Sequence, residues 1–287
     1  MIPGSRATLA GFAAVLLWST LAVLTTATAG IPPFQLLALG FGIAGIAGVG
    51  WLLRPGGPGA GALRQPAAAA TLTIAALAGY HALYFTALKH APAVEANLLN
   101  YLWPLLIVVF AALIGGQRVR AGQWLGTALG LAAAVLLVSR GQAFALEERH
   151  ALGYAAAIGA ALVWSLYSVL NGRFAAVPVT AMAGSCLAVA VIGGLAHALF
   201  ETWVAPTAGQ WLAIIAIGLG PTGIAFGLWD VGTKRGDIAV LGALGYAAPV
   251  LSTGWLLAFG RGAPHWTQAV AVGLLLAGAG LAVTRKA

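Results

Sequence analysis

The chain has 287 residues, of which 61% are hydrophobic and only 7% charged, and its mean hydropathy is +0.96. Soluble domains are about half apolar and about a quarter charged, so this composition excludes a soluble fold and requires an integral membrane protein. The formal charge of +8 does not indicate a nucleic-acid partner, because no basic cluster exceeds Lys234-Arg235 and the charges sit in the joints between apolar runs.

Those runs predict an all-α membrane protein of ten helices, at 7–29, 34–53, 67–89, 93–114, 121–139, 151–172, 179–200, 210–234, 238–259 and 265–285. Most reach the ~20 residues that cross a hydrocarbon core. The first carries LLWSTLAVL (16–24), with Trp18 and Ser19 at its middle. No small-residue cleavage pattern follows it, and its length suits a retained span better than a signal peptide. The second, with LALGFGIAGIAGVG (37–50), is rich in small residues that let helices approach closely. In the third, Tyr80, His81 and Tyr84 fall within one ~100° arc.

The fourth holds ANLLNYLWPLL (96–106), in which Asn97, Asn100, Tyr101 and Pro104 share one face at helical spacing and Trp103 borders them. Unsatisfied amides in lipid cost several kcal/mol each, so this stripe must face protein or water. Pro104 cannot donate to the Asn100 carbonyl and is expected to bend the helix. The fifth helix has Gly126 and Gly130 for close packing, and the joint SRGQAFALEERH reads as a solvated linker holding Glu147 and Glu148.

In the sixth helix, LVWSLYSVL (162–170) sets Trp164, Tyr167, Ser168 and Asn171 on one face. The seventh contains Cys186, the sole cysteine, which excludes an internal disulfide and a cysteine metal cluster and leaves a small core residue. The eighth has Pro221 as a kink and Asp230 four residues before Lys234, the spacing of an ordinary helical ion pair. The ninth pairs Tyr246 with a kink at Pro249, and the tenth again has small residues, GLLLAGAGLA (273–282).

Charge asymmetry sets an expected topology. Arg6, Arg54, Arg64, Arg118, Arg120, Arg173, Lys234, Arg235, Arg285 and Lys286 fall on one side, against Lys89, Arg140, Arg149 and Arg261 on the other, which places both termini in the cytoplasm. A weak internal repeat is anchored by the two Trp-Ser motifs. An offset of 145 residues pairs Lys89 with Lys234, Tyr101 with Tyr246, Pro104 with Pro249, Gln123 with Gln268 and Arg140 with Arg285. The expected units are 1–145 and 146–287, each of five helices, and an odd number turns the second copy upside down in the membrane. Inverted halves of this kind are the architecture of many secondary transporters.

Depth separates the tryptophans. Trp51, Trp124, Trp203, Trp211 and Trp266 lie at predicted helix ends, where interfacial Trp belongs. Trp18, Trp103 and Trp164 lie near midpoints and either line a central cavity or are buried core aromatics. A cavity walled by Trp and Tyr with amides and hydroxyls between suits a ligand part apolar and part hydrogen-bonding, and aromatic faces also attract cations. It has no evident carboxylate or Arg to clamp a strongly charged ligand, so a zwitterion is expected to be held through amides, hydroxyls and freed backbone groups. His81 is read as a neutral hydrogen-bonding group, with proton coupling the alternative. His197 reads as packing, and His90, His150 and His265 as interfacial. No HExxH, GxSxG, P-loop or Asp-rich signature is present; an intramembrane enzyme and a channel are the minor alternatives.

The Trp-Ser motifs, ALKHAPAVEANLLNYLWPLLIVVFAAL (87–113), GQWLGTALGLAAAVLLVSR (122–140), GDIAVLGALGYAAPVLSTGWLL (236–257) and TQAVAVGLLLAGAGLAV (267–283) resemble the drug/metabolite transporter superfamily, EamA type. YHALY (80–84) with NYLWP (100–104) is similar to its aromatic amino-acid exporter, YddG-like, branch. That resemblance implies ten helices in two inverted five-helix halves and alternating-access export of aromatic and other neutral amino acids from a bacterial inner membrane. It also implies some tolerance of cationic drugs such as methyl viologen. Tyr80, His81, Tyr84, Tyr101, Trp103 and Trp164 would line the cavity, and Trp18, Asn100, Tyr167, Ser168 and Tyr246 complete the expected substrate-binding set. The working expectation is a monomer in lipid with no cofactor and no metal. Where many members have a Glu after helices 4 and 9, this chain has Gln117 and Arg261, so no role built on those acids carries over.

Overall fold

A computed structural model describes residues 3–143, 147–260 and 263–283. Arg261, Arg285 and Lys286 lie outside the described residues, as does the expected boundary between 145 and 146. Among the described residues ten helices are long and apolar enough to cross a membrane: α1 Gly4–Ala27, α2 Pro33–Leu53, α3 Ala67–His90, α4 Glu95–Leu113, α5 Ala121–Ser139, α6 Glu148–Phe174, α7 Val179–Phe200, α8 Ala208–Arg235, α9 Ile238–Ala258 and α10 Trp266–Val283. No strand occurs among the described residues. The chain is an integral, multi-pass membrane protein.

Four helices are interrupted. In α4 one segment ends at Asn100 and the next begins at Trp103, so Pro104 is the second residue of a new helix, where its missing N–H costs nothing. The expected bend is thus a break just before the proline. The same arrangement recurs in α9, which breaks at Tyr246 and carries Pro249 in the first turn of Ala247–Ala258. In α8, Pro221 lies in a single π-helical turn, Gly220–Ile224. The hydroxyl of Thr222 donates within reach of the Ile217 carbonyl (2.9 Å) and lies 3.2 Å from those of Gly218 and Gly40, so the break exposes no idle acceptor to lipid. The α1 break, at Thr20, has no proline. There Ser19 and Thr20 bond back to the carbonyls of Leu16 (2.6 Å) and Leu17 (2.7 Å), competing with the backbone ladder.

The main helix pairings all join an early helix to a late one: α2 with α7 and α8, α5 with α10, α3 with α6, α1 with α8 and α9, and α4 with α6 and α9. Neither five-helix stretch therefore buries its own core. Small residues permit two of these approaches. A Cβ on Gly126 would stand 2.4 Å from the Gly278 carbonyl across α5 and α10, and one on Gly232 would stand 2.7 Å from Cα of Gly11 across α8 and α1. In lipid, where no hydrophobic force drives helices together, such backbone contact supplies the dispersion energy that holds them.

Candidate functional site: an aromatic column with a charged floor

The breaks in α1 and α8 meet at the centre of the bundle. Trp18, two residues before the α1 break, donates its indole N–H to the carbonyl of Pro221 in the π-turn (2.9 Å). This tie aims the Trp18 ring at Trp164, Phe226 and Trp229, with centroids 5.4, 5.5 and 5.1 Å away. Trp164 continues the column: it stacks on Trp229 (6.0 Å, 23° between planes) and touches Tyr80 (5.7 Å) and Tyr167 (5.3 Å). Trp103 meets Trp229 edge-on at 6.0 Å. Edge-to-face and offset contacts of this kind are the favoured aromatic arrangements.

Toward the His90 end of α3 the column becomes polar-edged. Tyr80 stacks on Tyr84 (5.9 Å, 11°), Asn100 donates to the Tyr80 hydroxyl (3.2 Å), and the Tyr84 hydroxyl donates to Asn97 Oδ1 (2.6 Å). His81 Nδ1 lies 2.7 Å from the Leu77 carbonyl, so that nitrogen carries the proton. Its ring meets the edges of Phe41 and Tyr80 at 5.4 and 5.2 Å. Trp18, Tyr80, His81, Tyr84 and Tyr101 are half-buried, whereas Trp103 (6% exposed), Trp164 (5%), Tyr167 (1%) and Trp229 (0%) are buried.

Most of the expected residues therefore converge: Trp18, Tyr80, His81, Tyr84, Asn100, Trp103, Trp164 and Tyr167 belong to one cluster, with Tyr101 packed against its edge. Ser168 serves as a brace, donating to the Trp164 carbonyl (2.8 Å) and accepting from the Trp229 indole (3.1 Å). Tyr246 is buried in the same core but stacks on none of these rings. The α9 break turns its ring onto Gly130, where an added Cβ would stand 2.4 Å from the ring, and its hydroxyl lies toward the main chain of Leu105. Phe41, Phe226 and Trp229 were not anticipated. Trp229 lies too near the predicted end of its helix for the midpoint criterion, although Phe226 and Trp229, three apart, share a face that the sequence displays.

Beyond Trp229 the column ends on charge. Asp230 and Lys234 form the i,i+4 ion pair their spacing predicts, at 2.9 Å, and it is buried: the side chains are 4% and 6% exposed. Asn171 donates to Asp230 Oδ1 and lies as close to Thr233 Oγ1, both at 2.9 Å, and Lys234 also donates to the Val177 carbonyl (3.1 Å). A chamber of about 10 Å³ adjoins the pair, lined in part by Gln65, Thr73, Asn171 and Ser185. That is room for about one water.

The architecture and the site define a class: a polytopic helical membrane protein with a central aromatic site built jointly by early and late helices. The profile of the EamA-like transporter family matches the chain twice, over residues 5–139 and 151–284. The chain belongs to the EamA-like transporter family and has that family's two-repeat fold; it is a transporter and not an enzyme. It is 49% identical over 279 residues to the aromatic amino acid exporter YddG of Ancylobacter novellus, covering 97% of each chain. A second relative, the aromatic amino acid exporter YddG of Salmonella typhimurium, is 24% identical with 86% of each chain covered. A solved crystal structure superposes with a TM-score of 0.92 at 48% identity, covering 97% of this chain and 96% of the other.

Proposed function

We propose that this protein exports aromatic and other neutral amino acids across a bacterial inner membrane, by alternating access around the aromatic column. The observation that carries the reading is the column itself, with rings from α1, α3, α4, α6 and α8 and amide and hydroxyl groups along one end. Such a surface stacks a planar side chain and hydrogen-bonds a polar one. The 49%-identical relative named as an aromatic amino acid exporter supports the same cargo.

Two inverted units, 1–145 and 146–287, account for the packing. Advancing each helix by five maps α2–α7, α4–α9 and α5–α10 onto themselves and exchanges α3–α6 with α1–α8 and α4–α6 with α1–α9, a pattern that supports a two-fold arrangement. Five spans per unit reverse the direction of the second. The excess of Lys and Arg in alternate joints favours cytoplasmic termini, which makes the Lys234 end cytoplasmic and the His90 end external. The rings are half-buried toward the His90 end and buried above the Asp230–Lys234 pair, which supports an outward-facing state with the cytoplasmic end shut. Rocking of the units about the breaks in α1, α4, α8 and α9 exchanges the two states.

The test is uptake of labelled phenylalanine, tryptophan and threonine into proteoliposomes, with a non-amino-acid control and with and without a pH gradient. Selective amino-acid uptake is the expected result. Folded, inserted protein that moves no amino acid overturns it. The aromatic column also suits a flat organic cation, and methyl viologen uptake in place of amino-acid uptake would establish that second reading.

A further inference from the structure

The most costly feature of the bundle lies outside the aromatic rings. Taking two ions out of water costs several kcal/mol each, and a packed apolar pair of similar volume is as stable or more so. An ionisable pair inside a membrane is accordingly a mark of function before it is one of stability. Here the pair is built into the column. Asp230 follows Trp229, which stacks on Trp164; Asn171, on Asp230, is one turn beyond the Ser168 that holds the Trp229 indole. The Tyr167 hydroxyl, buried and short of a hydrogen bond of normal geometry, has Thr73 as a polar neighbour, and Thr73 also lines the chamber.

We infer that Asp230 and Lys234 are a zwitterion-recognition site, entered by exchange. When the Lys234 end opens, the α-ammonium of an amino acid replaces Lys234 on the Asp230 carboxylate, its α-carboxylate replaces Asp230 on the Lys234 ammonium, and its side chain lies against Trp229, Trp164 and Tyr167. The inference rests on the amino-acid reading above and names the recognition step within it. A zwitterion is the ligand class that satisfies both ions at once and leaves no net charge buried, whereas an amine or an acid alone strands one of them. In the closed state the chamber holds no more than about a water, so the pair seals the end it serves.

The site exists at one end only. At the 145-residue offset Asn171, Asp230 and Lys234 correspond to Thr26, Phe85 and Lys89, and both Thr26 and Lys89 are exposed. Cargo therefore meets a buried, complementary ion pair at the Lys234 end and no counterpart of it at the repeat-related positions of the other, which favours loading at the first and release at the second.

The experiment is competition against labelled phenylalanine uptake by phenylalanine, phenethylamine and 3-phenylpropionate, in wild type and in the paired variant Asp230→Asn/Lys234→Met. The paired variant removes both charges together and avoids a stranded ion; its melting temperature checks folding. Wild type should prefer phenylalanine to either analogue by at least about tenfold, the scale of a lost hydrogen bond to a charged group. In the paired variant that preference should shrink to about threefold or less. An unchanged preference with an altered rate would make the pair a strut and overturn the inference while leaving export intact. Absence of amino-acid uptake by wild type removes the export reading, and this inference with it. Should the paired variant not fold, Thr233→Val and Asn171→Leu carry the same comparison: loss of selectivity supports the site, and rate changes without it overturn it.

Discussion

The two ends of the aromatic column close by different physics. At the His90 end the ties among the column's own groups are neutral, Tyr84 on Asn97 and Asn100 on Tyr80, and the rings remain half-buried. At the Lys234 end a buried ion pair, an amide and two hydroxyls lock α6 to α8. A neutral hydrogen bond contributes about 0.5–1.5 kcal/mol, whereas breaking a buried ion pair by removing one partner costs about 3–5 kcal/mol. Helices that pair as a repeat thus carry unequal chemistry at their two ends. A carrier with such ends has a preferred resting state, because closing one end makes bonds that closing the other cannot match.

The largest effect follows from stranding one ion. Lys234→Met alone should leave Asp230 buried and unpaired and lower stability by about 3–5 kcal/mol, read as a fall in melting temperature in detergent. A melting temperature equal to wild type would mean that the Lys234 end is wet and the contrast between the ends is unfounded. Trp164→Ala should rank next. Trp164 is 5% exposed and touches Trp18, Tyr80, Tyr167, Phe226 and Trp229, so truncation should cost about 3–5 kcal/mol as well as aromatic transport. Trp164→Phe should recover most of the stability and only part of the transport, and equal recovery of both would assign the ring to packing alone.

Away from both ends, Gly126→Ala tests the scaffold. The added methyl would stand 2.4 Å from the Gly278 carbonyl, a backbone atom that cannot turn aside, so α5 and α10 must separate. Overpacking of this kind costs about 1–3 kcal/mol. Thermal stability should fall while the ratio of phenylalanine to threonine uptake stays fixed, since neither helix contributes a ring to the column.

How much of this was legible in the sequence follows from where each signal is stored. Helix existence was, because ten apolar runs of spanning length leave little choice. So were Trp18, Tyr80, Tyr84, Trp103 and Trp164, since polar-aromatic stripes at depth have few places to face. Phe41, Phe226 and Trp229 were not, because an apolar ring in an apolar helix gives no sign of which way it points. Asp230 and Lys234 read as an ordinary helical ion pair, since i,i+4 spacing fixes that they meet and says nothing of what covers them; Asn171, Val177 and the start of α7 do that. Tyr246 was placed by analogy with Tyr101 across the repeat, and the actual rotation of its ring is set by Gly130 on a different helix. Pro104 and Pro249 predicted irregularity correctly in place but not in form, because a proline is most cheaply housed in the first turn of a new helix.

The smallest effect lies at the half-buried end and completes the contrast. Tyr84→Phe deletes the hydroxyl that donates to Asn97 Oδ1 at 2.6 Å but keeps the ring stacked on Tyr80. Asn97 retains its bond to the Ala93 carbonyl (2.7 Å), and its freed oxygen is not sealed from water, so no buried acceptor is orphaned. The expected cost is about 0.5–1.5 kcal/mol of stability, a small fraction of that for Lys234→Met. If the neutral bond holds the His90 end part-closed, its loss should also raise accessibility there. A cysteine introduced at Leu88, one turn beyond Tyr84 on the same face and exposed, in a background with Cys186→Ala, should then label faster with a membrane-impermeant maleimide in the Tyr84→Phe variant than in its parent. Slower labelling would mean that Tyr84 props the end open, and the two ends would then differ in sense as well as in strength.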